Sequence, residues 1–201
     1  MELKTSARFK RHVLLTLFMA TVRKFVAYRK LERPYTRFSK FRVKNFVRAR
    51  PVCKVPRFDM GDDTKIYDYQ LDLISKADLQ IRDRAIEAAR QTSNRHLEEN
   101  LGKNEFKFKV MIYPHHVLRE NPLASGAGAD RLSTGMAHSF GKPIGIAAQV
   151  RKGKSLFRLF CQAKHLELAK HALKRAQFKV PCSCRMEIKK INAKVAPAVK
   201  V

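Results

Sequence analysis

Acidic residues are scarce in this sequence of 201 residues. It contains 17 Asp and Glu against 43 Lys and Arg, which gives a formal net charge of +26 at pH 7 and a pI near 10.4. So many like charges repel one another in a free monomer and are typical of a protein that binds a polyanion. The composition therefore predicts a nucleic-acid partner, and an apolar content of 45% is enough for one domain of ordinary size.

Cysteines and long apolar runs are also few. No two cysteines have Cys-x-x-Cys spacing, so we predict reduced thiols rather than a zinc site or a disulfide framework. Residues 13–22 form an apolar run behind four basic residues and imitate a secretory signal, but a bilayer needs about 20 apolar residues. We favour an N-terminal extension over residues 1–18, either optional or read upstream of a true start at Met19, over a signal peptide. The cysteines are Cys53, Cys161, Cys182 and Cys184.

The basic charge is concentrated at the N-terminus and in the second half. Residues 1–58 carry 17 basic residues against 2 acidic ones, and residues 102–201 carry 20 against 5. In the N-terminal part, aromatic residues alternate with the cations, and prolines interrupt any regular period. Because cations neutralise phosphates and rings stack on bases, we predict an extended basic RNA-binding arm over residues 19–66 rather than a solvated tail. The residues expected to contact RNA are Arg23, Lys24, Tyr28, Arg29, Lys30, Arg33, Tyr35, Arg37, Lys40, Arg42, Lys44, Arg48 and Arg50.

Residues 67–188 have the hydrophobic periodicity of a folded α/β sandwich domain. Apolar residues recur at helical spacing over 82–101, where Gly102 follows as a C-terminal cap, and again from Leu166 to Ala176. Alternating apolar and polar residues predict a long, bent strand over 71–81. Further strands are expected at 106–112, 144–150, 156–163 and 184–189.

This order of elements predicts an α+β fold. We expect a mixed β-sheet covered on one face by two helices, with an extended basic N-terminal arm and a long glycine-rich loop. Residues 59–63 are expected to form a turn around Gly61. Gly153 in the turn 151–154 suits a hairpin between two of the strands. Residues 189–201 have no core to join and are expected to be a mobile basic tail.

Five of the eight glycines lie in residues 120–145. A P-loop places four residues between its glycines and a hydroxyl residue after the lysine, whereas five residues lie between Gly135 and Gly141 and a proline follows the lysine. The dinucleotide fingerprint and the nucleophile elbow are also incomplete. A segment this long without predicted structure is instead typical of a functional loop. We predict a glycine-rich loop over residues 120–142 that approaches RNA closely.

Two other functions stay open on the residues alone. An enzyme acting on RNA or nucleotides could use His115, His116, Asp130 and Arg131, but no matched acid–base pair or metal-binding set accompanies them. A membrane-surface protein could use the basic, apolar N-terminus. We favour RNA binding, with no catalytic residue, metal or cofactor.

Several motifs resemble one family of ribosomal proteins. In order along residues 19–188, they are similar to the large-subunit protein family called L-ten-e in archaea and eukaryotes, the counterpart of bacterial L-sixteen. The chain ends soon after Met186, where eukaryotic members continue, so the resemblance is to archaeal-type members. The motifs are RPYTR (33–37), FDMG (58–61), EAARQTSNRH (87–96), PHHVLREN (114–121), GAGADRLSTGM (126–136) and FGKPIG (140–145).

The resemblance implies a structural constituent of the cytoplasmic large ribosomal subunit, without enzymatic activity. It implies that the protein is embedded in large-subunit rRNA near the peptidyl transferase region, helps to position A-site and P-site tRNA, and assists late subunit assembly. The implied partners are rRNA, tRNA, neighbouring large-subunit proteins and assembly factors, with no membrane. Arg131 is the cation expected to face an RNA phosphate. The tRNA-proximal loop residues carried over are Asn121, Ser125, Gly126, Gly128, Asp130, Arg131, Ser133 and Met136.

Overall fold

A computed structural model describes residues 24–36, 41, 43, 50–120 and 141–191 of the chain. The predicted extension 1–18, the loop residues 121–140 and the tail from residue 192 lie outside this part of the protein. Six of the predicted arm contacts also lie outside it, namely Arg23, Arg37, Lys40, Arg42, Lys44 and Arg48.

Eight strands and two α-helices are found in the described residues. The helices are α1 (Asp83–Leu101) and α2 (Leu166–Gln177), and short 3-10 helices cover Phe25–Tyr28 and Ala163–His165. The last strand continues to Lys190, two residues beyond the expected boundary at 188. The strands are β1 (Asp59–Gly61), β2 (Tyr69–Ser75), β3 (Leu79–Arg82), β4 (Phe106–Val110), β5 (His116–Glu120), β6 (Lys142–Val150), β7 (Ser155–Cys161) and β8 (Cys184–Lys190).

The strands form two antiparallel sheets. A five-stranded sheet has the order β1-β4-β7-β2-β8, and a three-stranded sheet has the order β3-β6-β5. The α+β class is confirmed, but the prediction of one mixed sheet is wrong in this respect, because every strand pair in the described part is antiparallel. Strands β7 and β8, which α2 connects, point the same way, yet β2 lies between them. An inserted antiparallel strand thus replaces the direct parallel pairing that such a connection would otherwise give.

The two sheets meet at one sharp corner. The expected long, bent strand is β2 followed by β3, with the bend at residues 76–78. Opposite it, the turn 151–154 joins β6 to β7, which lie in different sheets and do not pair as the predicted hairpin. Instead β6–β7 pairs along β3–β2, and the Ser75 N–H donates to the Lys154 carbonyl at 3.0 Å where this ribbon bends. Hence the alternation of apolar residues continues through the bend.

Both helices pack on this bent ribbon. Residues of α1, α2 and both sheets share one hydrophobic core. The Ser93 hydroxyl of α1 donates a buried 2.9 Å hydrogen bond to the Ala172 carbonyl of α2, which fixes the two helices against each other. As predicted, α1 ends at Gly102, whose φ of +82° suits glycine and whose N–H donates to the Glu98 carbonyl. The largest fully buried side chains include Phe106, Phe108, Phe157, Leu71, Leu73 and Ile146.

Strand β5 was absent from the sequence prediction. Its Val117 and Leu118 are adjacent and both buried, so the strand lacks the alternation that marks a half-exposed strand. The reason is that both of its faces are covered, Leu118 by Tyr28 and Val117 by Tyr35 and Cys53, and all three covering residues belong to the N-terminal arm. The arm therefore packs on the three-stranded sheet, and this packing determines which arm side chains face the sheet and which face solvent.

Candidate RNA interface

The arm packs on the three-stranded sheet through its aromatic side chains. Tyr28 is 9% exposed and lies against Leu118 and Ala147, on the face that points away from the helices. Tyr35 packs against Val117 and Ile146 where the arm passes the edge of β5. The arm therefore covers both a face and an open edge of the sheet, which would otherwise expose unpaired backbone groups.

Hydrogen bonds fix the arm backbone to the same sheet. The side-chain amides of Gln80 and Gln149, which are opposite each other on β3 and β6, donate to the carbonyls of Lys30 (2.6 Å) and Glu32 (2.9 Å). Further along, the Tyr35 N–H donates to His116 Nδ1 at 2.9 Å, and the Val117 N–H donates to the Tyr35 carbonyl at 3.2 Å. These four bonds hold residues 30–35 in one place along the sheet.

The packing corrects one expectation. The ring of Tyr28 is buried in the protein, so it is not available to stack on an RNA base, and Phe25 is also half-buried against the main core. Tyr35 is half-buried, with the Arg119 guanidinium 3.9 Å from its ring centroid. Among the described aromatic residues of the arm, Phe41 alone is largely exposed, at 59%. The alternation of aromatic and basic residues thus reflects an arm with one side against the sheet and one side toward solvent.

The described cations of the predicted arm contacts lie on the outer side. Each of them is exposed, and the Arg50 guanidinium donates to the Pro114 carbonyl at 3.2 Å while lying 5.6 Å from the Tyr113 ring centroid. At its other end the arm is held by Asp83, whose carboxylate accepts the Lys54 N–H at the start of α1. These exposed cations are Lys24, Arg29, Lys30, Arg33 and Arg50.

The structure adds further cations that the sequence prediction missed. A groove of about 500 Å³ runs between the arm and the sheet corner, with Arg33 on one side and Arg151 and Lys154 on the other. None of these three side chains forms an ion pair with a described residue, and His115 and Glu32 also line the groove. The basic run in the turn 151–154 was visible in the sequence, but only the sheet corner places it beside Arg33.

Several cations on the five-stranded sheet are, in contrast, paired with acids. The Arg158 guanidinium forms a bidentate contact with the buried Asp72 carboxylate at 2.7 and 3.2 Å. Lys107 pairs with Asp63 at 3.0 Å, and Lys109 with Asp59 at 3.1 Å. The two lysines of β4 are therefore matched by carboxylates, unlike the three cations of the groove.

The adjacent histidines have separate surroundings, as an extended chain requires. His116 is 3% exposed and its Nδ1 accepts the Tyr35 N–H, so the ring is neutral in this arrangement. Burial lowers the pKa of His116 below its ordinary value, the charges of His115 and Arg119 lower it further, and Glu32 partly opposes them. Protonation would therefore break a bond that holds the arm.

We expect this histidine to make stability depend on pH. Because its pKa is lowered on folding, the unfolded chain binds the proton first as the pH falls below about 6.5, and the free energy of unfolding then decreases until the folded pKa is passed. Urea titrations between about pH 7.5 and pH 5 measure the loss. His116→Asn, whose Oδ1 can still accept a hydrogen bond, should have a smaller loss than the parent chain. An identical pH dependence in both proteins would contradict the assignment.

The other hypotheses find no support in the described residues. His116 uses its Nδ1 to accept the Tyr35 N–H, and no group of three or more His, Cys, Asp or Glu residues in the described part could hold a metal ion. Asp130 and Arg131 lie outside the described residues. Among the helices of the described part, none has the length and apolar character needed to cross a bilayer.

Comparisons with known proteins match this chain to one protein family. The profile of the family described as "Ribosomal protein L16p/L10e" matches residues 31–187. The "Large ribosomal subunit protein uL16" of Archaeoglobus fulgidus is 40% identical over 163 residues, which cover 81% of this chain and 90% of that protein. The protein of the same description from Methanocella arvoryzae is 42% identical over 164 residues, which cover 81% and 95% of the two chains. The matched region includes the groove and most of the arm.

Proposed function

Since the chain belongs to the ribosomal protein L16p/L10e family, we propose that its arm side binds large-subunit rRNA and that its glycine-rich loop approaches tRNA. The protein is a structural constituent of the cytoplasmic large ribosomal subunit and not an enzyme. Its partners are therefore rRNA and neighbouring ribosomal proteins. Contacts with A-site and P-site tRNA and a role in late assembly are part of the proposal.

One observation carries the proposal for rRNA: the groove brings three cations from distant parts of the chain onto one surface beside the arm. Arg33, Arg151 and Lys154 line a groove without an ion-pair partner in the described residues, whereas the lysines of β4 are matched by carboxylates. Unpaired cations on a fixed surface release counterions when phosphates bind, which makes affinity strongly salt-dependent. The arm side is therefore the surface that an RNA backbone favours.

Removing the groove cations should reduce the salt dependence of RNA binding. Replacing Arg33, Arg151 and Lys154 together by glutamine is expected to reduce the slope of log K against log salt by about 2 to 3, since each phosphate contact contributes roughly 0.7 to 0.9. Filter binding to a transcript of large-subunit rRNA at several salt concentrations measures the slope.

A matched control removes the same charge from the paired face. Lys65, Lys107 and Lys109, whose partners are Glu105, Asp63 and Asp59, are replaced by glutamine in the same way. We expect this control to bind with nearly the parent slope. An equal reduction in both variants would mean that net charge, rather than the groove, determines binding.

The loop is proposed to act at tRNA rather than to anchor the protein. Deleting residues 125–133 should leave folding and entry into large subunits nearly unchanged, because Leu132 is the only large apolar residue that this segment could contribute to a core, while tRNA-dependent peptide synthesis falls. Sedimentation of reconstituted subunits and a translation assay measure the two effects. Failure of the variant to enter subunits would instead identify the loop as an rRNA anchor.

A further inference from the structure

Two cysteines come together where α2 is connected to β8. Cys182 Sγ and Cys184 Sγ are 3.5 Å apart, and the Cys184 thiol is also 3.6 Å from the Cys182 carbonyl. Cys184 is buried at 7% exposure, whereas Cys182 is half-buried. The Ser75 hydroxyl lies 3.8 Å from Cys182 Sγ and donates to the Ala77 carbonyl at 2.7 Å. The sequence prediction of reduced thiols did not include a contact between these two sulfurs.

The surroundings shift the pKa values of the two thiols in opposite directions. The hydrogen bond from Cys184 lowers the pKa of Cys182 to about 7, burial opposes this effect, and the Ser75 hydroxyl adds to it. The pKa of Cys184 is raised, first by the same hydrogen bond and then by burial. Cys161, which is fully buried, has a pKa raised to about 11. A half-exposed thiolate beside a buried thiol is the arrangement that attacks and then resolves a disulfide.

We propose that Cys182 and Cys184 form a redox-active dithiol that exchanges with low-molecular-weight disulfides. The Cys182 thiolate attacks one sulfur of the small disulfide, whose S–S bond breaks and releases one small thiolate. Cys184 then loses its proton to that thiolate and attacks Cys182 Sγ, which releases the second small thiolate, protonated from solvent. In the net reaction the two protein thiols are oxidised to a disulfide, and the small disulfide is reduced to two thiols.

The geometry allows this bond and favours its reversal. The sulfurs must approach from 3.5 Å to about 2.05 Å, which side-chain rotation can supply. The two residues are only two positions apart, so the ring is short and strained, and strained disulfides are easily reduced. The connection lies beside the corner of the sheets, where the Lys76 N–H donates to the Ser183 carbonyl at 3.1 Å. The pair is therefore a reversible modification site at the base of β8.

A chromogenic aromatic disulfide, a dithiobis(nitrobenzoate), tests the mechanism on the folded full-length chain. In a Cys53→Ser background, the chain should release two coloured thiolates rapidly and keep no adduct, with a Cys182–Cys184 disulfide found by peptide mass spectrometry. Adding Cys184→Ser should give one thiolate and a stable adduct on Cys182. Adding Cys182→Ser should slow the reaction about tenfold or more. Cys161 should stay unmodified throughout, because its modification reports unfolding.

The stoichiometry of the chain that retains both cysteines decides the proposal even where a variant is unstable. A stable adduct on Cys182 in that chain would show that Cys184 does not resolve it. A Cys182 that reacts no faster than Cys53 in the parent chain would show that the neighbouring thiol does not activate it. Either result overturns the dithiol.

Discussion

Replacing Gly61 by alanine is expected to lower the free energy of unfolding by about 3 to 5 kcal/mol. Gly61 ends β1 with a φ of +89°, a backbone conformation that residues with a side chain rarely adopt. A Cβ atom there would lie 1.9 Å from the Phe106 carbonyl oxygen on the neighbouring β4, so the two backbones would have to separate. That carbonyl also accepts the Asp62 N–H at 3.0 Å, and its displacement would weaken the β1–β4 edge. Urea unfolding of the full chain measures the change.

A comparison of three glycines in this protein separates the effect of the positive φ from the effect of the clash with β4. Gly153 has a φ of +83° but open space around its Cβ position, so Gly153→Ala should cost only about 1 to 2 kcal/mol from the backbone. Gly145 has open space and no positive φ, and Gly145→Ala should be nearly neutral. We expect the order Gly61, Gly153, Gly145. Equal losses at Gly61 and Gly153 would show that β1 relaxes away from β4 at little cost.

Much of the fold was predictable from local patterns. The bounds of α1 follow from helical spacing, from Asp83 at its start and from Gly102 after its end, and all three depend on residues close together in the sequence. The alternation over 71–81 was likewise visible, and it continues through the bend because β2 and β3 pair with one ribbon. Such features can be predicted because the residues that determine them are close together in the sequence.

The sheet pairing was not predictable, because it depends on contacts between distant residues. Gly153 indicates a turn correctly, and Lys154 closes it through a 3.1 Å bond to the Arg151 carbonyl. Nothing in that turn indicates that its two strands enter different sheets. Strand β5 was missed for a related reason, since arm residues cover both of its faces and remove the usual alternation.

The candidate interface divides in the same way. The positive charge of the arm was evident from composition, but the groove requires Arg33 and Arg151, more than a hundred residues apart, to lie on one surface. The aromatic residues were assigned to base stacking because rings alternate with cations in many RNA-binding segments. In the structure, the Tyr28 ring is instead buried against Leu118 and Ala147 of the three-stranded sheet. No local sequence pattern indicates that this sheet lies beneath the arm.

Tyr28→Ala is expected to undock the arm without removing a cation. The ring is buried against Leu118 and Ala147, and its loss should cost about 3 kcal/mol of docking free energy. That energy corresponds to a roughly hundredfold rise in the open population, and trypsin cleavage in the arm should rise with it. RNA affinity should fall because the cations are no longer held in place, while the slope of log K against log salt is unchanged.

Arg29→Ala, one residue away, is expected to do the opposite. Arg29 is exposed, so cleavage elsewhere in the arm should be unchanged, while the salt slope falls by about one if its guanidinium contacts a phosphate. Tyr28→Phe should behave like the parent chain, since the Tyr28 hydroxyl has no hydrogen-bond partner among the described residues. If Tyr28→Ala left proteolysis unchanged but reduced RNA binding as Arg29→Ala does, the ring would contact RNA directly. If instead Tyr28→Ala raises trypsin cleavage at an unchanged salt slope, and Arg29→Ala lowers the slope at unchanged cleavage, then Tyr28 positions the arm and Arg29 binds RNA. The loss of a buried ring changes docking without changing charge.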